Sequence, residues 1–133
     1  MKNRSAGVVV LRKFQDEDHY RVLCLEKENG KFDITKGIID PGETDIETAI
    51  REVYEESGIS DLKFSWGLGN IVYKRGISFV AETESEPFIP KNPITGVKEH
   101  VDYMWMTFDE ARRSVEEFLV PAIEWAESVS GDH

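Results

Sequence analysis

The stretch Gly37 to Ile59, GIIDPGETDIETAIREVYEESGI, constrains the chain more than any other. Glu52, Glu55 and Glu56 stand at i, i+3 and i+4, so a helix here puts these carboxylates on one face. Like charges at that spacing repel, and a helix that only covered a core would have no reason to carry them. A hard divalent cation reverses the sign of that cost, and oxygen-rich clusters of this kind suit Mg²⁺ or Mn²⁺. The helix is signalled at both ends. Thr44 and Glu47 have the spacing of a capping box, and Gly58 stands where a left-handed C-terminal residue is wanted. Ile46, Ala49, Ile50 and Val53 recur with helical period and predict a core-facing stripe. The glutamates then lie about a quarter to a third of a turn from that stripe. One helix is thus expected to bury one side and hold metal on the next. Pro41-Gly42 marks a turn ahead of it, and Gly37 allows a backbone conformation barred to other residues, giving a loop, a helix and a short loop.

Gly37, Glu43, Arg51, Glu52, Val53, Glu55, Glu56, Gly58 and Ile59 meet every fixed position of a longer pattern. It runs Gly, five residues, Glu, seven residues, then Arg-Glu-aliphatic-x-Glu-Glu-x-Gly-aliphatic, and the stretch resembles the Nudix hydrolase signature. An acidic helix with a solvated face is the plain alternative, but solubility does not require such specific spacing. The resemblance implies an α/β fold, an α/β/α sandwich with a mixed sheet. It implies metal-dependent hydrolysis of a phosphoanhydride bond in a nucleoside diphosphate linked to another moiety. By motif position Glu52, Glu55 and Glu56 would be metal ligands, with the Gly37 carbonyl a further one. Arg51, counted with the catalytic group, would pair with Glu43 and brace the loop.

The rest of the chain fits an ordinary globular domain spanning residues 1–133. No stretch approaches the roughly 18 apolar residues of a membrane span, and the opening Met1-Lys2-Asn3-Arg4 lacks the apolar run of a signal peptide, so a cytoplasmic location is expected. Cys24 is the sole cysteine and reads as a small core residue. A net charge of −10 argues against an extended nucleic-acid surface. An acidic protein that handles phosphates needs metal ions and a few placed cations.

Ala6–Leu11 and Tyr20–Leu25 read as strands about a polar turn, and Phe32–Thr35 as a short extended piece feeding Gly37. Leu62–Trp66 reads as a short strand. Asn70–Glu82 is one long strand or a hairpin bent at Lys74-Arg75-Gly76, and Val101–Phe108 is a further strand. Glu86–Val97, rich in proline, reads as an irregular loop. Asp109–Arg113 predicts a short helix, and Ser114 with Glu117 has the spacing of a second capping box. Pro121 inside a continuous helix would cost about 3 kcal/mol, so a break near Glu117 is expected, with Pro121 in the first turn of the final helix.

Outside the signature, the chain is similar to the asymmetrical dinucleoside tetraphosphate hydrolases. Arg4-Ser5-Ala6-Gly7 resembles their Arg-x-x-Gly opening, and Thr35-Lys36-Gly37 resembles their Pro-Lys-Gly with threonine for proline. Arg4, Lys36 and Lys74 would then approach the polyphosphate. Glu99, in the segment EHVDYMWMTFDEA, resembles a glutamate that acts there in metal or water binding. Glu55, Glu56 and Glu99 are thus alternatives for the general base. Ser78 stands where those relatives have a base-stacking aromatic, leaving Tyr103, Phe88 or Phe118 to substitute. The expected substrate is a nucleotide polyphosphate, foremost a dinucleoside polyphosphate such as diadenosine tetraphosphate (Ap4A), acted on by a monomer or homodimer. A (d)NTP pyrophosphatase and a 5′ RNA pyrophosphohydrolase are alternatives within enzymes, and a non-catalytic nucleotide sensor is one of another class.

Overall fold

In a computed structural model, residues 4–90 and 100–131 are described. Strand β1 (Ser5–Lys13) is the centre of the sheet. It runs antiparallel to β2 (Tyr20–Glu26) near its end and to β4 (Thr35–Ile38) near its start. Its other edge pairs in parallel along β6 (Gly76–Glu82), from Ser5 opposite Gly76 to Leu11 opposite Glu82. The short β3 (Phe32–Asp33) and β7 (Asp102–Met106) both pair with β2, and β5 (Ile71–Tyr73) closes the far edge against β6. The sheet is therefore mixed, as expected.

Successive side chains of β1 point to opposite faces, and both faces are covered, which is why the strand reads as an unbroken apolar run. Ala6, Val8 and Val10 pack with Ile77, Phe79 and the helix residues Ala49 and Val53 of α1 (Asp45–Ser57). Val9 and Leu11 pack with Val80 and with α2 (Phe108–Ser114) and α3 (Val120–Ser130), through Ala111, Ala122, Ile123 and Ala126. The result is the α/β/α sandwich. Leu11 and Ile123 are fully buried, and truncating such a side chain to alanine costs about 2–5 kcal/mol. Cys24 lies in the second core, where burial raises its thiol pKa far above the ordinary range. No helix among the described residues is long and apolar enough to cross a membrane.

Several boundaries differ from the sequence reading. Ile50 is 44% exposed, so the buried stripe of α1 is Thr48, Ala49, Val53, Glu56 and Ser57 with Ile46 at its margin. Periodicity identifies a face of a helix but not what covers it, and here the sheet covers only the narrower part. Leu62–Trp66 is not a strand: it makes one isolated bridge, Lys63 to Glu82, beyond the end of β5. The second capping box is not at Ser114, which belongs to the last turn of α2. That helix is instead capped by Thr107 and Glu110 in a full reciprocal box. The break is present: a 3₁₀ turn at Glu117–Leu119 precedes α3, and Pro121 sits in the first turn of α3. Asn70–Glu82 is the hairpin rather than one strand.

Candidate active site

Helix α1 carries the acidic residues, and its ends fix its place. The Thr44 hydroxyl accepts from Glu47 N–H at 3.2 Å, and the Glu47 carboxylate accepts from Thr44 N–H at 2.9 Å. Gly58 terminates the helix at φ 75°, a conformation that disfavours any side chain. Because Glu56 falls on the buried stripe, its carboxylate meets the sheet and accepts the Lys36 backbone N–H at 2.9 Å. Glu52 is 15% exposed, whereas Glu55 is 53% exposed and lies toward solvent.

The Gly37 backbone lies directly against Glu52. A Cβ built at Gly37 would stand 2.0 Å from the Glu52 carboxyl carbon. No side chain fits there without moving that carboxylate.

Arg51 supplies the charge that this acidic face needs. Its Nε and Nη2 donate to the Glu43 carboxylate at 2.8 and 2.9 Å, and Nη1 donates to Glu52 at 3.0 Å and Glu55 at 3.1 Å. Asp40 lies 3.3 Å from Nη2. Such a two-pronged guanidinium–carboxylate pair is directional as well as charged. The Arg51 bonds, then the Thr48 hydroxyl at 2.7 Å, hold the Glu43 carboxyl down at about 2. Arg51 in turn is raised above its ordinary value, chiefly by Glu43. Glu43 and Arg51 together tie the loop before α1 to the helix.

A cleft of about 600 Å³ opens at the start of β1. Arg4, Lys36, Lys74 and Arg75 line it, together with Ser5, Ile38, Tyr73 and Phe118. In a chain of net charge −10, this lining contains cations and no carboxylate. It is a local field suited to a polyanion. The Phe118 ring lies 5.7 Å from Lys36 Nζ and 5.3 Å from the Arg75 guanidinium carbon. Tyr73 packs at 6.4 Å from Phe118, and its hydroxyl is 2.9 Å from the buried Ser78 hydroxyl. Burial raises the Tyr73 pKa.

The fold thus gathers Arg4, Lys36 and Lys74 in one cleft and joins it to Glu56 through Lys36. Tyr103 stands apart: it packs with the α1-side core and its hydroxyl donates to Glu86 at 2.8 Å. That bond raises the Tyr103 pKa. Of the three aromatics considered for the base, Phe118 is the one in the cleft lining, and Phe88 is an exposed loop residue. Glu99 and residues 91–97 of the Glu86–Val97 loop lie outside the described residues. Arg75 was read only as part of a bend, although a basic pair before glycine was the available signal. Asp33 and His100, a buried polar pair at 3.3 Å, left no signal, being remote in sequence and on separate elements.

Comparison with known proteins gives the family. The NUDIX domain matches residues 1–126. The chain belongs to the Nudix family. The mouse bis(5′-nucleosyl)-tetraphosphatase [asymmetrical] is 30% identical over 125 residues, covering 84% of this chain and 83% of that protein. Among solved structures, a C. elegans Ap4A hydrolase binary complex superposes with a TM-score of 0.76 at 21% identity, covering 96% of this chain and 99% of that one. A Nudix hydrolase from M. smegmatis superposes at 0.77 with 13% identity, covering 96% and 85%. The sandwich is therefore the Nudix fold, Gly37–Ile59 is the Nudix box, and the chain is a Nudix pyrophosphohydrolase acting on phosphoanhydride bonds.

Nudix hydrolases generally use divalent metals, and the donors here fit one. They are hard oxygens, and the Gly37–Glu52 approach leaves the backbone bare against a carboxylate. Among the described residues no three acidic or histidine groups are already gathered as a ligand cluster. The Arg51 guanidinium is bonded to both Glu52 and Glu55.

Proposed function

We propose that this Nudix hydrolase cleaves a phosphoanhydride bond in a nucleoside diphosphate linked to a second group, with Mg²⁺ or Mn²⁺, and that its preferred substrate is a dinucleoside polyphosphate such as diadenosine tetraphosphate. The observation that carries the reading is the cleft, where Arg4, Lys36, Lys74 and Arg75 line one space with Phe118, and Lys36 ties it to Glu56 of α1. A polyphosphate bridge presents charge along its length, and a set of cations of this extent suits it better than one lysine would. The face of Phe118 offers a nucleobase a stacking surface with cations at its rim. Similarity to the mouse tetraphosphatase supports the same substrate class.

Glu52, Glu55, Glu56 and the Gly37 carbonyl would hold the ion. When bound, it neutralises phosphate oxygens and makes an attacking water more acidic. The chain's own part is to receive and align. The cleft cations orient the polyphosphate, Arg51 and Glu43 brace the box loop, and the water's proton passes to Glu55, Glu56 or Glu99.

The test is hydrolysis of a panel with Mg²⁺ and with EDTA: dinucleoside polyphosphates, (d)NTPs, ADP-ribose and triphosphorylated RNA. Metal-dependent release of ATP and AMP from diadenosine tetraphosphate is expected. Preferred release of pyrophosphate from a triphosphate, or of monophosphorylated RNA, would overturn the substrate assignment, and full turnover in EDTA would overturn the metal.

A further inference from the structure

Asp33 and His100 are buried polar groups to which the reaction above gives no role. They are 6% and 3% exposed. Asp33 ends β3 and His100 lies just ahead of β7, so the pair joins two strands that both hydrogen-bond to β2. Asp33 Oδ2 is 3.3 Å from His100 Nε2. Its Oδ1 accepts Ile34 N–H at 2.9 Å and lies 3.4 Å from Lys36 Nζ. Burial pushes this carboxyl up, but the His100 hydrogen bond and the Lys36 charge together outweigh it, and the group is held below its ordinary value.

Lys36 is consequently fixed at both ends. Its backbone N–H is held by Glu56 on α1, and its ammonium by Asp33, at the edge of the cleft beside Phe118. A lysine head on a flexible stem directs a phosphate poorly unless something sets its position. Asp33 and His100 are absent from the cleft lining and act on substrate only through that ammonium.

We propose that Asp33 and His100 are positioning residues that act through Lys36, setting its ammonium where the polyphosphate is received. The proposal rests on the reading that Lys36 contacts phosphate. It has a consequence that simple packing lacks. The Asp33 carboxylate adds negative charge at the cleft edge, so Asp33→Asn leaves the cleft more positive while freeing the ammonium. The kcat is then expected to fall about tenfold with KM unchanged or lower, since small displacements of an aligning group are felt mainly in the reacting state.

The experiment is a double-mutant cycle on kcat and KM with diadenosine tetraphosphate and Mg²⁺, with thermal melts of every variant. Lys36→Ala, Asp33→Asn and their combination are compared. Expected is a slow Lys36→Ala enzyme that Asp33→Asn slows no further. A combination whose losses multiply, beside a slow Lys36→Ala, overturns the proposal alone. Lys36→Ala at the wild-type rate overturns it through the reading on which it rests. If Asp33→Asn does not fold, His100→Ala takes its place in the same cycle and is judged by the same outcomes.

Discussion

Gly37→Ala separates the catalytic use of the box loop from its structural use. Gly37 is not among the glycines with positive φ, so alanine is conformationally allowed there. By narrowing the unfolded ensemble, such a change usually stabilises a protein by about 0.4–1 kcal/mol. The new methyl would lie 2.0 Å from the Glu52 carboxyl carbon and 2.2 and 2.4 Å from its oxygens. Ordinary contact begins near 3.4 Å, so the carboxylate must retreat by about 1.4 Å. It can do so, because it is the far end of a flexible side chain. The fold is therefore expected to survive while the Glu52 oxygens leave their place. A displacement of about 1 Å in an aligned site costs roughly a hundredfold in rate, about 2.7 kcal/mol of barrier. Steady-state kinetics with Mg²⁺, Mn²⁺ titration by electron paramagnetic resonance, and a thermal melt make the measurement. Expected are a kcat about a hundredfold lower, weakened Mn²⁺ binding and an unchanged or slightly higher melting temperature. Wild-type kcat with alanine at 37 would refute the reasoning, because Glu52 would then have no need of its contact with the bare backbone. Gly7→Ala is the contrasting control. Its Cβ would meet the Thr35 carbonyl oxygen at 2.2 Å, strand backbone that cannot swing aside, so stability is lost along with activity.

Glu56→Gln is expected to lower turnover about a thousandfold while the far-ultraviolet spectrum and melt stay close to wild type, since the amide oxygen still accepts the Lys36 N–H; retained activity would remove Glu56 from the chemistry. Phe118→Ala should raise KM for diadenosine tetraphosphate about tenfold with a smaller change in kcat, the size of a lost base–aromatic contact, and an unchanged KM would place the base elsewhere. Glu43 is held at about 2 against an ordinary 4.5, by Arg51 first and Thr48 second. The native value lies below the unfolded one, so its contribution to stability is complete above about pH 5 and is lost as the pH falls through 4.5 toward 2. Urea midpoints at pH 7 and pH 3 should therefore differ less in Glu43→Gln than in the wild type, and equal differences would contradict the assignment.

The parts of this molecule that were legible in its sequence are those written in local spacing. Thr44, Glu47 and Gly58 mark the ends of α1 because caps act within one turn, and Pro121 marks the break before α3 because proline lacks a donor. The Ser114 box failed although its spacing was correct: the turn that starts at Thr107 had already drawn Ser114 into α2. Ile50 failed because a period reports a direction, while exposure depends on how far the sheet reaches beneath the helix. The cleft was half legible. Arg4, Lys36 and Lys74 carried motif or charge signals, but Phe118 joins them from the 3₁₀ turn ahead of α3, and only packing puts that turn over Tyr73. The Asp33–His100 contact spans β3 and the approach to β7, and no period or motif in a single chain marks such a pair.

The parallel seam between β1 and β6 bears on when the protein becomes active during its own synthesis or refolding. Ser5 pairs with Gly76, and the whole glutamate helix lies in the chain between them. Parallel neighbours cannot be closed by a tight turn, so this seam waits for a long loop to shut, a slow event compared with forming a capped helix. The cleft lies at that seam: Ser5 N–H donates to the Arg75 carbonyl at 3.1 Å, and Arg4 and Arg75 line one space only when it is zipped. Until that seam is zipped, the chain has no cleft to receive a substrate. Hydrolysis therefore reports the closed seam, and a polyphosphate that meets only the closed chain draws the equilibrium toward it by mass action.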